Sequence, residues 1–306
     1  MTESMVSVIV VSYNTKEKLR RCLGCIKTSH EIIVVDNASS DGSAEMVSLE
    51  FPHAKLVQNH ENRGFGAANN QGLDLATREV VLFLNSDCYA EPGAIQVLAK
   101  AFEDSQVVAA GGELRNPDGT FQPSVARKLT LWAVFLEQTY LDRALRPFGL
   151  GYWVDRPYRE RTDVDQVMGA CLMMRKGERF DERYFLYCED TDLCERLGKV
   201  GQIVLEPNAK FTHELGSSSM GPGRWRSVAR YNRGKELYFE IHHGQFAAWI
   251  CLILDRVGAL LRLLLWSVAS ILTLGMMKSA PGRVGLFWKV LTSPVDGPDR
   301  APHIHQ

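Results

Sequence analysis

The sequence predicts an α/β fold built on a largely parallel sheet, and three features carry that prediction. The first hundred residues alternate short β-rich runs with helical stretches, which is the rhythm of βαβ units. Val80-Val81-Leu82-Phe83-Leu84 is apolar enough for a central strand buried on both faces. Three strands end in polar or small residues, Ser12-Tyr13-Asn14, Asp36-Asn37-Ala38-Ser39 and Asn85-Ser86-Asp87, and such ends along one sheet edge make a ligand crevice.

Strands are expected at residues 6–11, 32–35, 55–57 and 80–84, and helices at 16–26, 43–50, 66–76 and 92–102. Pro92 suits the first turn of the last helix, where its missing N–H costs least. Residues 107–110 read as another strand, and Asn116-Pro117-Asp118-Gly119 is a turn signal that predicts a hairpin. Residues 129–162 are aromatic and basic without a clean period and read as an insertion or acceptor-side lobe. Further on, 164–174 predicts a strand kinked at Gly169, 190–199 a helix, and 202–205 and 210–212 two short strands leading to His213.

At 306 residues, 45% hydrophobic and 23% charged, the chain can bury one large core or one core with an appendage. Disordered and fibrous classes are excluded. The net charge of −1 hides an asymmetry: residues 221–306 carry eleven Lys/Arg against five Asp/Glu, a balance of +6 that leaves −7 for the rest. Seven cysteines, an odd number scattered through apolar runs, read as reduced thiols in a cytosolic compartment. Cys22-Leu-Gly-Cys25 has redox or zinc spacing, but no second pair or His pair completes a site, so it reads as chance placement on one helix. Residues 1–11 lack a basic n-region and a small-residue cleavage site and read as a first strand rather than a signal peptide. No nucleic-acid partner is expected.

The character changes at Arg224, which divides the chain into 1–223 and 224–306. Arg224, Arg226, Arg230, Arg233 and Lys235 fall on one expected helix, followed by apolar runs at 246–254 and 257–277, the latter interrupted only by Arg262. That length could just cross a bilayer, yet Asp255-Arg256 precede it and Ser267, Ser270 and Thr273 interleave. A buried helical hairpin is the competing account. Basic residues with Trp249, Trp266 and Trp288 suit a region lying in or dipping into the cytoplasmic leaflet.

Asp87 stands where a carboxylate can hold a hard divalent cation against nucleotide phosphates. Asp36 ends the second strand and can accept from a ribose hydroxyl or a base N–H, whereas Asp41 is explained by capping the next helix. Asn62-Arg63-Gly64-Phe65-Gly66-Ala67-Ala68-Asn69-Asn70 lacks the third glycine of a dinucleotide fingerprint and follows the third strand, so a nicotinamide domain is rejected. What remains is a glycine turn into a helix, where Arg63 could meet phosphate and Asn69 the base or sugar. Phe185-Leu186-Tyr187-Cys188-Glu189-Asp190-Thr191-Asp192 places three acids within four residues, and adjacent carboxylates raise each other's pKa towards that of a general base. His213 could complete a sparse Mg²⁺ or Mn²⁺ site with Asp87, imidazole favouring Mn²⁺. Gly216-Ser217-Ser218-Ser219 reads as a loop able to close over a donor.

Six motifs in order, at residues 7–14, 34–43, 62–70, 84–87, 169–175 and 185–194, closely resemble the family 2 inverting glycosyltransferases and, within them, the rhamnosyltransferase-like branch. The resemblance covers about residues 5–220 and implies a GT-A fold, a nucleotide-sugar donor and a divalent metal. It implies that Tyr13, Asp36 and Arg63 hold the nucleoside and diphosphate, that Asp87 and His213 hold the metal and that Asp190 is the base. Asn14, Gly64, Asn69, Asn85 and Ser86 join the candidate donor-binding set, and Glu189 stands beside the base. The family's metal motif is often Asp-x-Asp; here its first position is Asn85, so Asp87 carries the charge alone. The tail suggests a lipid-linked glycan acceptor at the cytoplasmic membrane surface in cell-surface polysaccharide synthesis, with dTDP-rhamnose as first donor candidate. Two competitors are a nucleotidyltransferase, which would carry a Gly-rich basic loop after the first strand where this chain has Ser12-Tyr13-Asn14-Thr15, and a non-catalytic glycan-binding scaffold.

Overall fold

The structure, a computed structural model, describes residues 6–214, 224–273 and 279–294. The chain begins β1 (Ser7–Ser12), α1 (Lys16–Gly24), β2 (Glu31–Asp36), α2 (Ser43–Glu50), β3 (Lys55–Gln58), α3 (Phe65–Leu75), β4 (Val80–Asn85) and β5 (Cys88–Ala90). Next come α4 (Ala94–Ala99), β6 (Val107–Arg115), β7 (Phe121–Gln122), β8 (Val125–Ala126), α5 (Leu131–Gln138) and α6 (Leu141–Leu145). Then follow β9 (Thr162–Asp163), β10 (Gln166–Val167), β11 (Cys171–Arg175), α7 (Glu189–Leu197) and β12 (Gln202–His213). The last helices are α8 (Arg224–His243), α9 (Gln245–Leu272) and α10 (Ser279–Leu291).

The main sheet runs β3-β2-β1-β4-β11-β6-β12-β5. Its first four strands are parallel as expected, but β11 lies antiparallel to both β4 and β6, so the whole is mixed rather than largely parallel. The chain leaves β6 at the carboxyl edge and returns at that same edge, so β11 can only run back. Side chains alternate as the pleat requires. Val8, Val10, Ile32, Val34, Leu82 and Leu84 pack with α1, α2 and α4, while Ile9, Ile33, Val81 and Phe83 pack with Leu73 of α3 and Leu193 of α7. Three layers result, with two cores sharing one sheet.

Several predicted boundaries change. Gly93, with φ 83°, caps α4, so Pro92 precedes the helix instead of opening it. The strand expected at 164–174 is two strands, because β10 pairs with β8 outside the main sheet and only β11 joins it. The two strands expected at 202–205 and 210–212 are one, β12, whose register shifts between Glu206 and Lys210. The apolar runs at 246–254 and 257–277 are one helix as far as Leu272, since Asp255-Arg256 lie inside α9. Residues 274–277 and the expected closing loop at 216–219 lie outside the described residues.

Two compact units divide the chain. The sheet unit comprises residues up to Lys128, Trp153–Phe185 and Glu189–Leu215. The second gathers Leu129–Tyr152 and Leu186–Cys188 with the C-terminal helices. Its interior is organised by Lys235, which has no exposed side-chain surface and lies 2.7 Å from Asp255 and 3.3 Å from Glu137. Burial alone would lower the Lys235 pKa, but those carboxylates hold it above its ordinary value. Gln138 donates to Asp255 at 2.7 Å and accepts from Arg262 at 2.6 Å. The aperiodic 129–152 stretch is thereby an integral part of the helical unit. No described helix is long and apolar enough to cross a membrane.

Candidate active site

The ends of β1, β2 and β4 reach the same sheet edge, because Ser12 pairs with Asp36 and Val11 with Asn85. Hydroxyls link two of them: Thr15 Oγ1 lies 3.0 Å from Ser12 Oγ and 2.9 Å from Ser86 Oγ. Asn14, at φ 52°, accepts from the Ser40 N–H at 2.8 Å while its own N–H donates to Ser39 Oγ at 2.9 Å. It ties the loops after β1 and β2 together, beside the exposed ring of Tyr13. The Asp36 Oδ2 accepts from the Ser39 N–H at 3.0 Å, but its Oδ1 is buried without a partner among the described residues. Such an orphan costs about 1–3 kcal/mol. A base N–H or ribose hydroxyl arriving at this edge would satisfy it.

The 59–64 loop is shaped by Asn37. Its Oδ1 accepts from the Arg63 N–H and from Asn59 Nδ2, both at 3.0 Å, and its Nδ2 donates to Asn62 Oδ1 and the Gly64 carbonyl. Arg63 projects an exposed guanidinium whose nearest acid is Glu182, 4.0 Å away, so it is available to a phosphate. Gly64 serves packing instead: at φ 87° a Cβ there would stand 2.5 Å from the Phe185 carbonyl oxygen. Asn69 is buried, with its amide donating to the Phe65 carbonyl at 3.0 Å, so one of its two N–H donors is committed within α3.

Asp190 lies in the first turn of α7. Its Oδ2 accepts from the Gly169 N–H and its Oδ1 from the Thr191 N–H, each at 2.8 Å. Burial raises its pKa, and these two donors offset only part of the rise. A carboxylate so placed is a better proton acceptor than an exposed one. Glu189 is buried beside it, and Asp192 is engaged by Arg196 at 2.9 Å. Next to Gly169, the Ala170 carbonyl accepts from the Asn85 N–H at 3.0 Å. Two consecutive residues thus anchor both the Asp190 carboxylate and the strand end that leads to Asp87.

Asp87 and His213 meet because β5 pairs with β12, Cys88 opposite His213, and because the Glu214 N–H donates to the Asp87 carbonyl at 3.0 Å. His213 Nε2 stands 3.4 Å from Asp87 Oδ1. Adjacent ligands of a hard divalent cation at about 2.1 Å sit about 3 Å apart, so the pair fits such an ion with little adjustment. No cluster of three or more His, Cys, Asp or Glu suited to a metal occurs among the described residues, so phosphate and water would complete the shell.

The sequence model described as glycosyl transferase family 2 matches residues 7–166. The chain belongs to glycosyl transferase family 2. It is 29% identical over 247 residues to the N-acetylglucosaminyl-diphospho-decaprenol L-rhamnosyltransferase of Mycobacterium tuberculosis, covering 70% of this chain and 78% of that one. Its fold resembles the mannosyltransferase PcManGT of Pyrobaculum calidifontis, solved with GDP-Man and Mn²⁺, with TM-score 0.54 and 16% identity over 94% of this chain and 84% of that one. It also resembles GalNAc-T7, solved with UDP, GalNAc and Mn²⁺, with TM-score 0.51 and 14% identity over 77% and 48% of the two chains. The GT-A-like α/β fold expected from the motifs is therefore present.

For this glycosyltransferase, sequence reasoning passed over Asn37, Asn70 and Gln122. Asn70 accepts from the Phe180 N–H and donates to its carbonyl, holding the segment that leads towards α7. Asn37 directly follows Asp36 at a polar strand end, which was a usable signal. Gln122 had none, since its partner His213 is 91 residues away. A cavity of about 380 Å³ lined by Thr77, Arg78, Glu79, Arg175 and Lys176 lies at the other ends of β4 and β11, away from this edge. The Cys22-x-x-Cys25 pair makes no site: Cys22 is buried in α1, and Cys25 is exposed beyond it.

Proposed function

We propose that this glycosyltransferase transfers a hexose, with dTDP-L-rhamnose as first donor candidate, to a hydroxyl of a lipid-linked glycan, with inversion, in cell-surface polysaccharide assembly. The observation that carries it is the Gly169-Ala170 anchor, which sets a carboxylate of raised pKa, Asp190, on the same sheet edge as Asn85-Ser86-Asp87. Support for donor and acceptor comes from the mycobacterial relative, whose name specifies rhamnosyl transfer to a diphospho-decaprenol-linked sugar.

Asp190 takes the proton of the acceptor hydroxyl as that oxygen bonds to the anomeric carbon, and the bond from this carbon to the diphosphate breaks on the opposite face. Asp36 receives the nucleoside and Arg63 the diphosphate, whose growing charge is the main electrostatic task. Asp87 and His213 would hold a divalent cation, Mn²⁺ or Mg²⁺, which when bound supplies charge neutralisation at the diphosphate. The relevant neighbours were solved with Mn²⁺.

Nucleotide sugars screened by thermal shift with Mn²⁺ identify the donor through binding linkage. With that donor, Asp190→Asn is expected to abolish transfer, by at least about 10²-fold as loss of a general base does, while the donor-induced shift persists. Transfer by the variant near the wild-type rate would overturn the assignment.

A further inference from the structure

We propose that Gln122 is a positioning residue that locks His213 in the tautomer protonated on Nδ1, so that a bare Nε2 faces Asp87 as a cation ligand. This rests on the reading of Asp87 and His213 as the metal pair. His213 Nδ1 lies 2.7 Å from Gln122 Oε1, and both side chains are buried. Neutral imidazole carries one proton, and the hydrogen bond at one nitrogen decides what the other presents.

The direction of that bond follows from groups that can only accept. Asp118 is a carboxylate, so the Thr120 hydroxyl, 2.6 Å away, donates to it. Thr120 Oγ1 is then left to accept, and Asn116 turns its Nδ2 towards it at 2.9 Å. The same Nδ2 reaches the Phe121 carbonyl, another pure acceptor, at 3.4 Å. Asn116 Oδ1 therefore faces Gln122, whose Nε2 donates to it at 2.8 Å and to the His213 carbonyl at 3.1 Å. With both donor positions of the Gln122 amide used, its Oε1 meets the imidazole, and Nδ1 must carry the hydrogen.

The alternative tautomer has a clear consequence. A proton on Nε2 would point across the 3.4 Å gap at Asp87 Oδ1 and occupy the space a cation needs. The Asn116-Pro117-Asp118-Gly119 turn, which at first sight only closes the hairpin between β6 and β7, thus sets the chemistry of a ring outside that hairpin. Partners that orient a ligating imidazole in this way are worth about 10- to 100-fold in metal affinity.

The test uses the full chain labelled with ¹⁵N-histidine and free of metal, with His213 assigned by loss of its signals in His213→Asn. Long-range ¹⁵N–¹H correlation should show His213 protonated on Nδ1 in the wild type, and Gln122→Leu should populate the Nε2-protonated form. Mn²⁺ titration followed by electron paramagnetic resonance should show at least tenfold weaker binding in Gln122→Leu. An Nε2-protonated His213 in the wild type overturns the proposal whether or not the variant folds. Unchanged tautomer and Mn²⁺ affinity in Gln122→Leu overturn the positioning role alone. A wild type that is protonated on Nδ1 yet binds no Mn²⁺ with a nucleoside diphosphate present overturns the metal-pair reading, and the role with it.

Discussion

Asp190 is held between opposing influences: burial favours its neutral form, and the Gly169 and Thr191 N–H groups favour its charged form. Burial wins, so its pKa lies above 3.8, the value it would have in water. A general base must be ionised before the reaction, so transfer is lost as pH falls through that raised pKa. The acid limb of a kcat/KM profile is therefore expected at a higher pH than an exposed aspartate would give, with unit slope. A limb at or below 3.8 would mean that another group takes the proton. This residue was legible because three acids crowd four positions after an aromatic run. Gln122 was not, since the role of its amide is set at His213, 91 positions away, and leaves no period in the sequence.

At the scale of elements, the strands that bury both faces were read nearly to the residue, because unbroken Val/Ile/Leu runs leave one option. What pattern could not supply was direction. β11 is apolar enough for either sense, and only the excursion that begins and ends at one edge makes it antiparallel. The sequence reads as two short strands at 202–205 and 210–212, yet the break between them is absorbed as a register shift between Glu206 and Lys210 within one strand, β12. The entry to α3 shows what a glycine secures. The Phe65 N–H donates to the Phe185 carbonyl at 2.8 Å, an approach that a Cβ on Gly64 would obstruct. Gly64→Ala adds a left-handed backbone penalty of about 1–3 kcal/mol to that clash. A clear fall in the melting temperature of the sheet unit is expected, with weaker donor binding through the displaced Arg63 loop. An unchanged melting temperature and donor affinity would show that Phe185 yields freely.

For the whole molecule, the open question is what the helical unit faces, and α9 supplies the argument. Phe246, Trp249, Ile253, Val257, Leu260, Leu264, Val268 and Ile271 are exposed or largely so and recur every three or four residues, while Ala248, Cys251, Asp255, Gly258 and Ala259 are buried. That stripe spans residues 246–271, about 38 Å along the axis. The one acid on α9 and α10 is Asp255, buried against Lys235; their other charges, Arg256, Arg262, Arg283 and Lys289, are all positive. Trp249 and Trp288 are more than half exposed, and Arg283 lies 4.1 Å over the Trp266 ring. Apolar, cationic and Trp-bearing surfaces of this kind suit the headgroup boundary of an anionic bilayer, so we propose that α9 lies in that plane at the cytoplasmic membrane surface, where a lipid-linked acceptor would be met. The chain should sediment with phosphatidylglycerol vesicles and much less with phosphatidylcholine. Leu260→Glu combined with Leu264→Glu should weaken the former at least tenfold, equivalent to about 1.4 kcal/mol, and leave the donor-induced thermal shift intact because the sheet unit is untouched. If the double variant still sediments equally, the stripe is not the lipid contact; if it only converts a dimer into a monomer, α9 meets a second copy of the chain.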